Sequence, residues 1–431
     1  MVQTKGRSWP ELKNPQYLEK PVVTTQSWLE GKHNDDGAEG LWRVHDKLYD
    51  LKDWMSKHPG GEDFIRLSKG TDITELFEAH HIPLTAETLI NKFYVKDAET
   101  PRNSPYTFKS DGFYQTLKNR VREELKSVPK SVSIKSKLIT DSTIIAAFSL
   151  LVLGSVSRSY FIGMAAAFPL TFGVIASHNF FHQKSNWRKF YFDLSLMAHR
   201  EWMISHIMSH HIYTNTKMDL EITMFEPFFA WLPASNKNWI NKYLSWIYSP
   251  IIYAFIIISQ ALTRFVMKGF QKHDLVGLIV PTVILTASSW DLMFSLKLYL
   301  GVIVFTSIIF TFIGVTAAHH DPDLFHEGDT PREERDWGLQ QLDSVVDRKE
   351  VLGHLPLTLF TFGDHVMHHL FPSLDHALLE YLHPILLKTC AEFDFKYEAT
   401  PYMSLIKGQF HQLARDTGRA FPVSKPAHLQ S

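Results

Sequence analysis

The chain has 431 residues, with 44 Lys+Arg against 45 Asp+Glu and a formal net charge of -1. That balance excludes a polybasic nucleic-acid binder, and 45% hydrophobic with 21% charged residues excludes a disordered chain without separating soluble from membrane-embedded. A single cysteine, Cys390, excludes an intramolecular disulfide and a thiolate zinc or iron–sulfur site, and 23 histidines stand out as the compositional anomaly.

Residues 1–21 are polar and broken by prolines, with no long apolar run, so no secretory signal peptide is expected there. Residues 25–95 read as a compact domain, in which apolar alternation gives way to short polar helices around the His-Pro-Gly-Gly turn at His58–Gly61. Residues 96–136 carry Pro101, Pro105, Pro129 and several lysines. They are expected to form a linker holding one amphipathic helix, Phe113–Leu125.

After Asp141 the composition changes abruptly. Ser142–Ser157 and Ser159–His182 hold no Asp, Glu, Lys or Arg, and with Arg158 in the turn they are expected to form a membrane hairpin. Tyr243–Thr263 and Leu298–Ala318 are two further uncharged runs of spanning length. Leu275–Trp290 is shorter and contains Pro281, which leaves it open among spanning, re-entering and lying at the interface. For the histidine-rich loops to meet on one side of the membrane, an even number of spans must separate them. Four spans are therefore expected, with six as the alternative. Lys184, Arg188, Lys189, Lys268 and Lys272 point to the cytosol for the histidine-rich side, the first domain and the tail. The aromatic run Met224–Pro233 suits the headgroup region or a packed surface loop.

The histidines fall into two constellations. His58 precedes two glycines, and His80 and His81 end a helical run 22 and 23 residues later. Two imidazoles can hold a haem iron from opposite faces, and glycines let the backbone approach the macrocycle. The same residues would equally serve a Pro-Gly turn and a surface histidine. The second constellation has three clusters: His178 and His182; His206, His210 and His211; and His365, His368 and His369. Residues three or four apart share a helix face, so each cluster can aim at least two imidazoles at a common point.

Eight imidazoles exceed what one tetrahedral zinc uses, so two metals are the economical reading. Iron is favoured over zinc, which has no redox chemistry for a haem domain to serve. The bland alternative treats each histidine as interfacial. His199 is read as structural or as an outer partner, and Asp364 and Asp375 as groups that orient ligand rings or cap helices.

Leu48–Val95 resembles the cytochrome b5 family through YDLKDW, the HPGG run, and Gly70, Asp72, Thr74 and Phe77 in a G-x-D-x-T-x-x-F pattern. The resemblance implies an α+β domain holding haem b through His58 and His81, with His80 the alternative second ligand. Over Lys137–Phe395 the HxxxH, HxxxHH and HxxHH boxes resemble the membrane fatty acyl desaturase and hydroxylase superfamily. The HHLFP after the third box is similar to front-end desaturases that carry an N-terminal b5 domain, although His365 stands where those commonly have Gln. Across its whole length the pattern is similar to the cytochrome b5-related group of insects.

These resemblances imply an all-α multi-span membrane domain at 137–395 and a cytosolic tail at 396–431, with residence in the endoplasmic reticulum. They imply two non-haem irons held by the eight clustered histidines, with His320 in TAAHHDPD as a ninth candidate. Electrons would come from an NAD(P)H-dependent cytochrome b5 reductase, and the reaction would be O2-dependent desaturation of a lipid or acyl-CoA chain. No catalytic residue beyond the metal ligands is called for. Phe161, Phe168, Phe172, Phe305 and Phe312 are candidates for lining an acyl tunnel. A hydroxylase with the same site, a non-catalytic membrane haem electron carrier and a zinc-dependent membrane protein are the rival readings.

Overall fold

A computed structural model of the chain describes residues 15–20 and 22–423. The expectation of a signal-free start on residues 1–14, and residues 424–431 of the expected tail, lie outside these.

The N-terminal domain is built on a small antiparallel sheet in the order β1-β2-β3: Trp42–Val44, Lys47–Tyr49 and Tyr94–Asp97. Trp42 pairs with Tyr49, and Leu48 with Lys96. Strands this short cannot bury a core by themselves, so helices Glu62–Leu67, Thr74–His80 and Leu84–Ile90 close over one face. Trp42, Val44, Tyr49, Ile65, Ile73, Phe77 and Ile90 pack there. The preceding helix, Thr25–Asp35, starts with a Thr24–Ser27 capping box and leans away from this core. Its Trp28 indole donates to the Met218 carbonyl at 2.9 Å, and its buried Lys32 donates to the Tyr213 hydroxyl at 2.7 Å.

The segment expected to be a linker is a packed seam. Phe113, Tyr114, Leu117 and Val121 of helix Phe113–Glu124 are fully buried in the largest core, together with Trp28, Ala79 and Ile82 from the N-terminal side and Trp337 and Phe371 from the membrane side. Content averaged over residues 96–136 hides this, because the apolar residues recur on one helical face. Lys118 on the same helix is buried and reaches the Glu78 carboxylate at 2.7 Å. Arg102 links Asp72 and Glu75 in the same seam.

Among the described residues, four helices are long and apolar enough to cross a membrane: Lys130–Val156, Tyr160–Phe180, Ser245–Lys268 and Leu292–Thr316. The first two form the expected hairpin. A Cβ on Gly154 would lie 2.4 Å from the Gly163 nitrogen, so only glycine allows this approach. Arg158 sits in the hairpin turn and pairs with Asp291 at 2.5 Å. The aromatic run at Met224–Pro233 is a packed loop for the most part, with Phe229 and Trp231 buried and Phe228 exposed.

Candidate metal centre

His58 and His81 face one another with ring centroids 6.1 Å apart. Each Nδ1 is held by a backbone carbonyl, His58 by Gly61 at 3.1 Å and His81 by Phe77 at 2.9 Å, which leaves each Nε2 free. A Cβ on Gly60 would lie 2.8 Å from the His58 ring, so the first glycine of the motif leaves the room that ring occupies. This pair fits bis-histidine haem ligation. His80 turns the other way. Its ring stacks on His182 at 5.5 Å, with His80 Nε2 3.3 Å from His182 Nδ1. Burial, reinforced by the neighbouring His81, drives the His80 ring down to about 3 and keeps it neutral.

The three clusters meet as two buried groups. His178, His182, His206, His211 and His368 form one, and His210, His319, His365 and His369 the other, with ligand atoms within 4.8 Å of one another in each. His178 Nε2 lies 2.8 Å from His206 Nε2, 3.0 Å from His368 Nε2 and 3.1 Å from His182 Nε2. One ring nitrogen carries one proton or one lone pair, so it can satisfy one of these contacts as a hydrogen bond and not three. Donor atoms about 3 Å apart are what ligands about 2.1 Å from a shared cation present. The residues therefore fit a metal in the first group. In the second, His319 Nε2 lies 2.7 Å from His365 Nε2 and 3.1 Å from His210 Nε2.

The split of the middle cluster follows from its backbone. Met203–His210 is a π-helix, whose wider turn aligns His206 with His211, Nε2 to Nε2 at 3.1 Å, and sends His210 to the other group. Carboxylates fix the outer nitrogens: Glu221 accepts from His206 Nδ1 at 2.8 Å, and Asp219 from His210 Nδ1 at 2.9 Å. Burial opposes charge on His210, but Asp219 and Glu221 outweigh it and hold the ring up at about 9. The same carboxylates favour any cation at its Nε2. Gln341 takes the corresponding role for His369 Nδ1 at 3.1 Å.

A cavity of about 400 Å³ opens against both groups. The buried His206, His210, His319 and His365 are among its lining residues, and Trp202, Phe192, Phe310 and Phe362 contribute apolar wall. Its lining is mostly hydrophobic with a few convergent polar groups, the usual character of a small-molecule site.

The family model described as "Fatty acid desaturase" matches residues 156–401, and that described as "Cytochrome b5-like Heme/Steroid binding domain" matches residues 25–99. The chain belongs to the fatty acid desaturase family. This desaturase-family chain is 42% identical to the "Cytochrome b5-related protein" of Drosophila melanogaster, over 96% of this chain and 97% of that protein. It is 28% identical to "Delta(5) fatty acid desaturase A" of Dictyostelium discoideum, over 87% of this chain and 90% of that one. With "Acyl-lipid (8-3)-desaturase B" of the same organism it shares 26% identity, over 95% of this chain and 98% of that protein. No solved structure matches the chain. Membership makes this membrane protein an oxidoreductase of unspecified substrate, with a haem domain and an iron-binding fold.

The structure places the other expected positions of this desaturase-family chain individually. His319, and not His320, joins the second group; the His320 ring stacks on Trp231 at 4.0 Å. Asp375 caps helix His376–Glu392, the second of its two expected roles, and accepts from Ser136, whereas Asp364 accepts from Thr358 and neither caps a helix through its side chain nor orients a ligand ring. Asp219 and Glu221 do that and were missed; their signal was a carboxylate pair shortly after a histidine box. His199 lies outside both groups, with Nδ1 2.7 Å from Asp193. None of the five candidate phenylalanines lines the cavity. Phe161, Phe168 and Phe305 are exposed on the outer surface, Phe172 stacks on Phe360, and Phe312 packs beside the Trp231 core.

Proposed function

We propose that this chain desaturates a fatty acyl chain with O2 at a pair of non-haem irons, using electrons delivered through haem b in its N-terminal domain. The observation that carries this reading is the convergence of nine buried imidazoles into two adjoining groups, four of whose members line an apolar cavity. In this reading His178, His182, His206, His211 and His368 hold one iron, and His210, His319, His365 and His369 the other. His58 and His81 hold the haem. All-imidazole donor sets suit iron, and a haem domain packed against the site argues for a redox metal over zinc. When bound, the haem supplies single electrons and the iron pair supplies O2 activation for attack on an unactivated CH2.

The chain's own residues do the positioning. Asp219, Glu221 and Gln341 accept the Nδ1 protons of His210, His206 and His369, so that the Nε2 lone pairs face the cations. Trp202, stacked on His206 at 4.4 Å and on Phe192 at 4.5 Å, holds the cavity wall against the site and keeps water from it. No acid–base pair or nucleophile is required. A cytochrome b5 reductase is the proposed electron donor, and a lipid or acyl-CoA the substrate. The desaturase names of the Dictyostelium relatives support an acyl chain. The basic residues Lys184, Arg188 and Lys189 support a cytosolic histidine side in the endoplasmic reticulum.

The test is expression in a desaturase-deficient host with working electron donors, beside a His206→Ala variant, followed by lipid analysis. A new unsaturated lipid that the variant lacks supports the proposal. Unchanged lipids favour a non-catalytic electron carrier, and labelled oxygen retained on the chain from labelled O2 identifies a hydroxylase.

A further inference from the structure

We propose that helix Ser245–Lys268 does not cross the bilayer but lies along the leaflet on the histidine side, and that the segment Lys272–Ala287 makes the third crossing in its place. The partner this assigns to the outer face of Ser245–Lys268 is the acyl region of that one leaflet. The inference does not depend on the metals.

The helical bundle has two distinguishable ends. One is marked by the turns at 157–159 and 288–291, tied by Arg158 to Asp291 at 2.5 Å. The other is marked by His178 in the last turn of one span with His182 just past it, and by His319 beyond another. Both ends of Ser245–Lys268 are anchored at the histidine end. At its start, Lys242 pairs with Asp416 at 2.6 Å, the Tyr248 hydroxyl donates to the Phe228 carbonyl, and Tyr248 stacks on Phe229. Phe229 packs on Trp231, which stacks on His320. At its finish, Lys268 lies 2.6 and 2.8 Å from the two carboxylate oxygens of Glu201, five residues before His206. Arg264 reaches the Leu196 carbonyl at 3.2 Å and pairs with Asp274.

A 24-residue helix is about 36 Å long, and one that crossed would carry its ends to opposite sides. This one instead passes over Leu292–Thr316, where Ser307 donates to the Tyr253 carbonyl at 2.6 Å. Lys272–Ala287 runs the other way. It begins beside His199, whose ring lies 5.7 Å from that of His273, and ends at the 288–291 turn. Its 3₁₀ turn and α-helix together measure roughly 27 Å, close to the thickness of hydrocarbon. Val280 and Ile284 are buried in the core that holds Ala147 and Leu151 of the first span. Two crossings still separate the second and third histidine clusters, so parity is kept.

The surface of Ser245–Lys268 fits this placement. Ile247, Ile251, Phe255, Leu262 and Val266 form an exposed apolar stripe, with Val266 83% exposed, continuous with the outer faces of the spans. Lysines bracket the helix on both sides, at Lys237, Lys242, Lys268 and Lys272. Ser259, Gln260 and Thr263, exposed residues that a crossing helix would set in the hydrocarbon, line the cavity instead. The cavity therefore opens beside a helix lying in one leaflet, and an acyl chain enters sideways from that leaflet.

The experiment uses the full chain in sealed microsomes, with Cys390→Ala removing the only native thiol. Ser235→Cys, Lys272→Cys and Met293→Cys are each exposed to a membrane-impermeant maleimide before and after permeabilisation. Ser235→Cys and Lys272→Cys are expected to react on the same side, and Met293→Cys on the opposite one. Lys272→Cys reacting with the Met293→Cys side, or all three reacting together, overturns the proposal. Nitroxides at Ile247, Phe255 and Val266 give a second reading, expected to report similar depths; a depth maximum at Phe255 overturns it. Neither readout uses lipid oxidation, so failure here is separable from failure of the proposed reaction.

Discussion

His80 of the N-terminal domain and His182 of the membrane domain stack within 19° of parallel, with Nε2 of the first 3.3 Å from Nδ1 of the second. The Leu76 carbonyl takes the His80 Nδ1 proton at 2.9 Å, so His80 Nε2 is a lone pair that accepts the proton of His182 Nδ1. His182 Nε2 is thereby left for a metal. Loss of such an outer partner typically weakens a metal site about 10–100-fold. His80→Ala is expected to lose metal from purified protein, read by elemental analysis, while keeping its haem absorbance. Equal metal in variant and parent would show that the contact is packing alone.

The same orientation decides the axial pair. His81→Ala is expected to abolish the haem Soret band, whereas His80→Ala leaves it intact. Gly60→Ala places a methyl 2.8 Å from the His58 ring and should lower haem occupancy without unfolding the domain. Retention of full haem by His81→Ala would reverse the assignment.

His319 and His320 are neighbours with different surroundings. His319 Nε2 touches His210 and His365, while His320 lies flat on Trp231. His319→Ala should lower metal content and product together. His320→Ala should retain metal and lose stability, by about 1–3 kcal/mol for a large buried ring contact removed. Metal analysis and thermal unfolding of the two variants separate these outcomes.

How far these sites were legible in the amino-acid order depends on the interaction. His58 with its glycines, and the eight clustered histidines, could be found because each group is local in the chain. The sharing of His206 and His211 could not, because three-and-four spacing assumes an α-helix and Met203–His210 is a π-helix. The roles of His80 and His319 rest on contacts with residues about 100 positions away. Phenylalanines in apolar runs read alike whether they face lipid or a cavity, so Phe305 and Phe310 were indistinguishable. Uncharged length found Ser245–Lys268 easily, but length carries no information about where the two ends are tied.

Acid should loosen the seam between the domains. Burial alone would raise the Glu78 carboxyl, but its hydrogen bond from His45 and the Lys118 ammonium outweigh that and hold it at about 2, below its ordinary 4.5. As pH falls, the unfolded chain takes up this proton first. The stabilisation is therefore complete above about 4.5 and is lost as pH approaches 2, on the order of 3 kcal/mol in all. Thermal unfolding in detergent across that window is the measurement, and Glu78→Gln should flatten the pH slope. An unchanged slope would assign the acid sensitivity to other carboxylates.

Gly314 offers a test of the cavity that leaves every histidine in place. It lies on helix Leu292–Thr316 and lines the cavity between Thr311 and Val315, and a Cβ built on it meets nothing within 4 Å. Gly314→Leu therefore projects from a Cβ with open space around it into the cavity, and replacing a glycine in the last helical turn favours the helix by at most about 1 kcal/mol. Metal content and thermal stability should be unchanged or higher. A pocket discriminates a single methylene by about 10–200-fold, so an obstruction of four carbons should shift products to shorter chains or cut turnover at least about tenfold. Chain-length profiling of products from cells expressing the variant measures this. An unaltered profile with normal turnover would mean that the acyl chain does not pass Gly314.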